Sequence, residues 1–370
     1  MVDGVIASEI VAEPESIRAS LALIDAAASI ASELQRAHVR RVFLIGNGTS
    51  YHSCLAAATL YRHRASPRDP SVVAITAGEF AHYCPEMESG EALVGISASG
   101  EFRDVLSAFQ AVRGRVPTIG IIQVPDSSLS RLADHLLVAG GGPSSVPVMT
   151  RTFASTLTAA YLLVAQLLGS ERASDVTASL ARAAEDAEAS ISQAAFHLPE
   201  LAEHLGQIDH FFVVGAGGAY PAALEAALKL KEMALVHAEG VETWEMETGP
   251  ATLVGPHTAV IALEPEGIGL GSTQDMVRHC AAWGAPIVEV AATPVLPQTD
   301  TLPLPKGAEE DFASLVAVPP IALLAFEIAR RRGLNPDQPE WRARYEIQGL
   351  NHLMGDAASP VTSEAGPTRI

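Results

Sequence analysis

Across residues 1–40 the apolar side chains recur at helical spacing. Leu21, Leu23, Ile24, Ala28 and Leu34 supply the buried positions, and Pro14 suits a first helical turn. The period then changes. RRVFLIGNGTSYHSCLAAATLYR passes from a short strand at 42–45, through a turn at 46–50, into a helix. SVVAITAGEF supplies a second strand. ALVGISASGEFRDVLSAFQAVR and VPTIGIIQVPDSSLSRLAD each repeat strand, turn and helix. Apolar β-branched runs alternating with helices predict a parallel sheet covered on both faces. Residues 140–147 are small residues and prolines, hence a loop. The Ala/Leu-rich segments at about 151–169 and 173–195 predict two linking helices.

From residue 209 the pattern restarts. VFLIGNGTSYHSCLAAATLY (42–61) set against FFVVGAGGAYPAALEAALKL (211–230) aligns Gly46 with Gly215, Gly48 with Gly217 and Tyr51 with Tyr220. Strand, GxG turn and Ala/Leu helix recur in register, which marks the duplication of a whole domain. Further strands are expected at 259–263 and 286–290, with PPIALLAFEIARRRGL as a closing helix. The expected class is α/β, with two tandem α/β/α domains, each a mostly parallel sheet flanked by helices. Their expected bounds are 25–170 and 195–345, followed by a polar C-terminal tail at 346–370.

Residues 215–250, GAGGAYPAALEAALKLKEMALVHAEGVETWEMETGP, open with a glycine turn and continue as a helix that is apolar except for a few charges. Glu225, Lys229 and Glu232 stand four and then three residues apart, which places them on one stripe. Such a Glu-to-Lys pair can simply stabilise a solvated helix by about 0.3–0.5 kcal/mol. Two carboxylates and an ammonium on a stiff element are also what proton transfer needs.

Each glycine turn leaves free backbone N–H groups at the positive end of a helix, which is an anion site. The first half adds hydroxyls: Thr49 and Ser50 beside Gly48 on one loop, Ser97 and Ser99 on the next. Each could instead be an N-cap, worth about 1 kcal/mol. Paired hydroxyls on two loops of one half favour a bound phosphate group, held at the strand ends where open α/β sheets take ligands. The duplicate has Ala219 in place of Ser50, and LEPEGIGLG has no hydroxyl, so the second half is expected to have lost the site. Neither half carries GxGxxG or a GKS/T loop.

Composition narrows the partners. There are 24 Lys+Arg against 43 Asp+Glu, a net charge of −19, which repels nucleic acid and anionic membranes. Three scattered cysteines, with no CxxC pair, fit a reducing cytoplasm and neither a disulfide framework nor a zinc site. The first residues lack a basic n-region, and no uninterrupted apolar run reaches about 18 residues, so neither a signal peptide nor a membrane span is expected.

GNGTSYHS, ISASGEFRD and LEAALKLKEMALVHAEG, followed by ETGP, carry a resemblance over nearly the whole chain, from EIVAEPESIR to NPDQPEWRAR. They resemble the double SIS (sugar isomerase) domain family, and most closely its glucosamine-6-phosphate synthase isomerase half. No nucleophilic cysteine of a glutamine-hydrolysing domain precedes the matching part. The resemblance implies two nested α/β/α domains and a homodimer with active sites near the subunit interface. It implies a phosphorylated (amino) sugar held by Gly48, Thr49, Ser50, Ser97 and Ser99, with no metal and no cofactor. Glu232 would move a proton between C1 and C2 through a cis-enediol or enolamine, assisted by Lys229.

Several positions depart from the family pattern. Its ring-opening histidine falls on Thr248, and its near-C-terminal lysine falls on Arg344, which binds but does not shuttle protons. In the second phosphate loop, Ala98 and Phe102 replace two donors and add an aromatic wall, and Ser144 and Met149 replace a Glu and a Ser. The resulting expectation is a cytoplasmic amino-sugar-phosphate isomerase with deaminating chemistry. The alternatives are a fructosamine-6-phosphate deglycase and, in another class, a non-catalytic sugar-phosphate sensor.

Overall fold

The computed structural model describes residues 4–84, 86–144, 146–297 and 299–341. Three helices, Val5–Val11, Glu13–Leu21 and Ile24–Arg36, lead into a five-stranded sheet. Its strands are β1 (Arg41–Gly46), β2 (Ser71–Thr76), β3 (Glu91–Ile96), β4 (Thr118–Ile122) and β5 (His135–Val138). All pairings are parallel, in the order β2-β1-β3-β4-β5. β3 and β4 are almost wholly buried, which is why they read as uninterrupted apolar runs.

The second sheet comprises β6 (His210–Gly215), β7 (His237–Glu242), β8 (Thr258–Glu264), β9 (Ile287–Ala291) and β10 (Asp300–Pro303). It too is all parallel, in the order β10-β9-β8-β6-β7. Counted from its own first strand, this is the topology of the first sheet. The duplication read from the glycine turns is therefore a duplication of the whole fold. In this strand order the chain reverses direction across the sheet between the first and third strands, and the crevice outside their carboxyl ends is the ligand position of open α/β sheets. The loops after β1 and β3 carry Thr49–Ser50 and Ser97–Ser99 to that crevice.

One continuous core joins the two sheets. Leu44, Ile96 and Ile121 from the first sheet share it with Phe211, Ile261 and Val288 from the second. The helix Arg151–Leu167 runs through this core almost wholly buried. Burying a side chain such as Leu163 on every side contributes about 1.5–3 kcal/mol. The segment Glu310–Arg331 is long and apolar enough by composition to cross a membrane, but 94% of its apolar window is buried inside the fold. Its hydrophobicity belongs to the core.

Two expectations need correction. Residues 237–242, read as continuing a helical stretch, form the edge strand β7, and the edge strands β5 and β10 were not anticipated. Edge strands pair on one side only, so HAEGVE carries exposed polar positions and no apolar run. The preceding helix is not uniformly α either. Ala219–Lys229 is α-helical, Leu230–Ala234 is a π-turn, and Leu235 closes it in the left-handed region at φ 54°. The polar tail expected at 346–370 lies outside the described residues.

Candidate functional site

At the carboxyl end of β1, Gly48 turns the chain at φ +53° and the helix Thr49–Arg64 begins. At the end of β3, Ser97 and Ser99 form the second loop. Ser97 Oγ accepts from Gly100 N at 3.1 Å, and Ser99 Oγ accepts from Glu101 N at 3.2 Å. Both hydroxyls are used there as acceptors, so their protons remain available to a ligand. A cavity of about 350 Å³ opens between the loops, lined by Asn47, Ser50, Ser97, Ala98, Ser99 and Phe102. Its far wall is formed by Val124, Val146, Pro147 and Met149. Arg103 does not line the cavity, and its guanidinium lies 3.1 Å from Asp104. Hydroxyls and helix N-termini are thus what this cavity offers to an anion.

Thr49 does something different from the expectation. Its hydroxyl turns away from the cavity and donates to Glu225 Oε1 at 3.0 Å across the junction of the two halves. The reason is the buried charge it meets. Glu225 is 0% exposed and Lys229 is 1% exposed, with Lys229 Nζ 3.1 Å from Glu225 Oε1 and 2.7 Å from Glu232 Oε2. Lys229 also reaches Thr49 Oγ1 at 3.4 Å, and His52 Nδ1 lies 2.6 Å from Glu225 Oε2. A carboxylate stripped of water needs several donors, and the first half supplies two of them.

The three charges of the stripe are not equivalent. Burial pushes the Glu225 carboxyl up, but Lys229 and the His52 hydrogen bond outweigh it and hold it below the usual carboxylate range. Burial lowers the Lys229 ammonium, and Glu225 and Glu232 more than restore it, so it stays protonated. For Glu232 burial wins: its carboxyl is raised despite the opposing pull of Lys229. Glu232 is also the member that reaches solvent, its side chain being 25% exposed. The π-turn sets its direction, because the extra residue per turn rotates the side chains within it about the helix axis. Trp341 Nε1 donates to the Glu232 carbonyl at 2.9 Å and pins that turn. The result is a partly accessible carboxyl with an ammonium at its side, an arrangement able to take up and return a proton.

Thr49 and Ser50 are consecutive, so the serine-lined cavity and the charged cluster adjoin. The structure thereby brings together Ser50, Ser97, Ser99, Ala98 and Phe102 as lining of the cavity, while Thr49, Lys229 and Glu232 form a chain of contacts that starts at the residue before Ser50 and does not line it. It does not bring Thr248 there. That residue is exposed after the short helix Thr243–Met246, its hydroxyl donating to the Glu245 carbonyl at 2.8 Å. Ser144 donates to the Glu9 carboxylate at the cavity rim. Arg344 lies outside the described residues.

Sequence reasoning missed three groups. His52 was overlooked within GNGTSYHS. Gln123 follows β4 and lines the cavity. Its Nε2 donates to Ser155 Oγ at 2.6 Å, while its Oε1 is buried without a partner among the described residues. Its place at the carboxyl end of a parallel strand was the available signal. Glu13, also buried, has an Oε2 without a partner among the described residues, and burial raises its carboxyl well above the ordinary value. Nothing in the sequence around EPES marks it.

A family model described as "SIS domain" matches residues 34–167 and 204–299. The glutamine–fructose-6-phosphate aminotransferase [isomerizing] of Methanothermobacter thermautotrophicus is 32% identical over 346 residues, covering 91% of this chain and 56% of that protein. The chain therefore spans about half the length of this relative. Among solved structures, the C-terminal domain of glucosamine-fructose-6-phosphate aminotransferase from Francisella tularensis superposes with a TM-score of 0.81. That match has 24% identity and covers 91% of this chain and 99% of that one. A glucosamine-6-phosphate deaminase from Thermotoga maritima gives a TM-score of 0.68 at 22% identity, covering 87% of this chain and 97% of that one. At these identities the two structures are alike in fold.

Proposed function

The chain belongs to the SIS domain family, and we propose that it is a phosphosugar isomerase that acts on an amino-sugar phosphate. The observation that carries this is the juxtaposition of two unlike features through the pair Thr49–Ser50. A cavity lined by Ser50, Ser97 and Ser99 opens at the first turn of the helix Thr49–Arg64, and Thr49 beside Ser50 meets Lys229, whose ammonium lies 2.7 Å from the Glu232 carboxyl. The phosphate end of the substrate is held by Ser50, Ser97 and Ser99. The reacting carbons extend toward Glu232.

The chemistry rests on what Glu232 can do. Its carboxylate takes the proton from C2 of an open-chain 2-amino aldose phosphate, giving an enolamine, and returns a proton to C1. The product is a ketimine, which water hydrolyses to a ketose phosphate and ammonia. Lys229 stays protonated throughout and stabilises the negative charge that develops on the oxygen at C1. Burial has already raised the Glu232 carboxyl, so it accepts a proton more readily than an ordinary glutamate. We further propose a homodimer, since Thr248 stands exposed and away from the cavity of its own chain.

The second reading, a fructosamine-6-phosphate deglycase, is favoured by the wall of Phe102, Val124, Val146 and Met149. An apolar substituent on the amine would be placed against it. Under this reading Phe102→Ala weakens a substrate with an apolar amine substituent more than it weakens the parent amino sugar. Equal effects on the two would remove it.

The test is Glu232→Gln, with turnover and solvent deuterium incorporation at C1 and C2 of a bound sugar phosphate as readouts. Turnover should fall by at least about 10²-fold and deuterium uptake should stop. Near-normal turnover would refute the assignment. Binding without exchange in the unsubstituted protein would instead identify a sensor.

A further inference from the structure

The glycine turns of the two halves share a left-handed glycine at the matching position and have opposite contents. Gly48 in the first half and Gly217 in the second both adopt φ +53°. A side chain added at Gly48 would meet nothing within 4 Å, and its neighbours Asn47 and Ser50 line the cavity. One added at Gly217 would run into the Glu310 carboxylate, and one added at Gly267 would meet the same group. Glu310 is buried, at 8% exposure. Its Oε1 accepts from Gly218 N at 3.3 Å and its Oε2 from Gly269 N at 2.9 Å.

Those two donors belong to the loops after β6 and β8. They are the counterparts of the loops after β1 and β3 that form the serine cavity in the first half. Gly218 and Gly269 precede the helices Ala219–Lys229 and Leu270–Ala282, so their N–H groups stand at two positive helix ends. The sequence shows why hydroxyls are absent there. Glycines and alanines leave room for a carboxylate to come in, and they add no donors that it would leave unused. Glu310 is held in place by its own backbone, whose N donates to the Glu266 carbonyl at 2.9 Å. Its neighbours anchor it to the first half: Glu309 and Asp311 both pair with Arg64, and Asp311 also with His63.

We propose that Glu310 is the resident anion of the second-half loops, its carboxylate standing where the first half takes a phosphate group. Each chain then offers one phosphate site and keeps its duplicate permanently filled. The filled site links the second-half loops to the helix Thr49–Arg64, whose other end carries Thr49, Ser50 and His52. The comparison with the first half rests on reading its loops as a phosphate site. The filling of the second does not, and stability measured without any sugar tests it separately.

Replacing Glu310 by Ala should empty the loops and lower Tm by at least about 2–4 °C. Small anions should then substitute for the lost carboxylate, since a ligand that binds only the folded state raises Tm. Sodium formate or inorganic phosphate at about 0.1 M, compared with sodium chloride of equal ionic strength, should raise Tm more in Glu310→Ala than in the unsubstituted protein. Phosphate acting on the first-half cavity shifts both proteins alike and cancels in that comparison. Equal shifts in the two proteins, or none in either, overturn the proposal. If Glu310→Ala does not fold, Glu310→Gln decides. Its amide keeps the shape but turns an NH₂ toward one of the two N–H donors, so its Tm should fall. A Tm equal to that of the unsubstituted protein would show that the loops do not require an anion.

Discussion

Substituting Glu225 and Lys229 singly and together measures how the charged stripe holds itself in the core. Both side chains are at most 1% exposed and their charged atoms are 3.1 Å apart. At an effective dielectric constant of about 20, this separation corresponds to an attraction of about 5 kcal/mol. Desolvation of the two groups offsets most of that sum, so the intact pair contributes little net stability. The asymmetry appears when one partner goes. Glu225→Leu leaves the buried ammonium with Glu232 and Thr49 as its hydrogen-bonding partners among the described residues, and should cost about 3–5 kcal/mol. Lys229→Met leaves Glu225 with the Thr49 hydroxyl and His52, and should cost somewhat less. The double variant removes the imbalance and should cost at least about 2 kcal/mol less than the sum of the singles.

Urea unfolding of the four proteins at pH 7 gives this coupling directly. The acid limb provides a second check. Because Glu225 is held below its ordinary value of 4.5, its pairing stabilises the fold above that pH and the contribution is lost as pH falls. Glu225→Leu should therefore show a flatter stability profile as pH falls from 4.5 to about 2. Additive single costs, agreeing within about 0.5 kcal/mol, would refute the account. They would mean that the two groups are solvated separately.

Other expectations are more local. Glu264 is buried at the end of β8 beside Glu289 of β9, and Glu289 already accepts from Val295 N, Leu296 N and Thr299 Oγ1. Burial and then Glu289 push the Glu264 carboxyl up to about 8, so the folded chain keeps a proton that the unfolded chain gives up above 4.5. Stability from this group falls as pH rises between those values, by at most about 5 kcal/mol, and the benefit of Glu264→Gln should grow with pH. An equal Tm difference at both ends of that range would contradict it. Ser97→Ala and Ser99→Ala should each weaken sugar-phosphate binding by about 10–100-fold, one charge-assisted hydrogen bond apiece, in a calorimetric titration. A variant that binds as tightly as the unsubstituted protein would take its hydroxyl out of the phosphate site.

Much of the architecture was legible because it rests on short-range patterning. β3, β4 and β8 are buried almost throughout, so their central positions are apolar and their polar residues fall at their ends, and the glycine turns repeat in register because the fold repeats. β7 escaped notice because an edge strand has no such constraint. The site was legible in part. The serine loops stood out as paired hydroxyls after strands, and the Glu225–Lys229–Glu232 spacing stood out as a stripe. The use to which each group is put was not legible. Thr49 and Ser50 are adjacent and chemically alike, yet one faces a buried carboxylate and the other an open cavity.

The sequence by itself determined the class, the duplication, and which residues could carry anion binding and proton transfer, since those depend on residue type and on spacing along one element. Tertiary structure decided the roles. Only the packing of the helix Thr49–Arg64 against Ala219–Lys229 makes Glu225 a buried partner of Thr49 and His52, and leaves Glu232 as the stripe's accessible carboxyl. Only the folded second half shows a glutamate, more than ninety positions along the chain from Gly217, seated in its glycine loop. The physical reason is common to both cases. A charge removed from water must be answered by whatever donors surround it in space, and the sequence does not record which donors those will be.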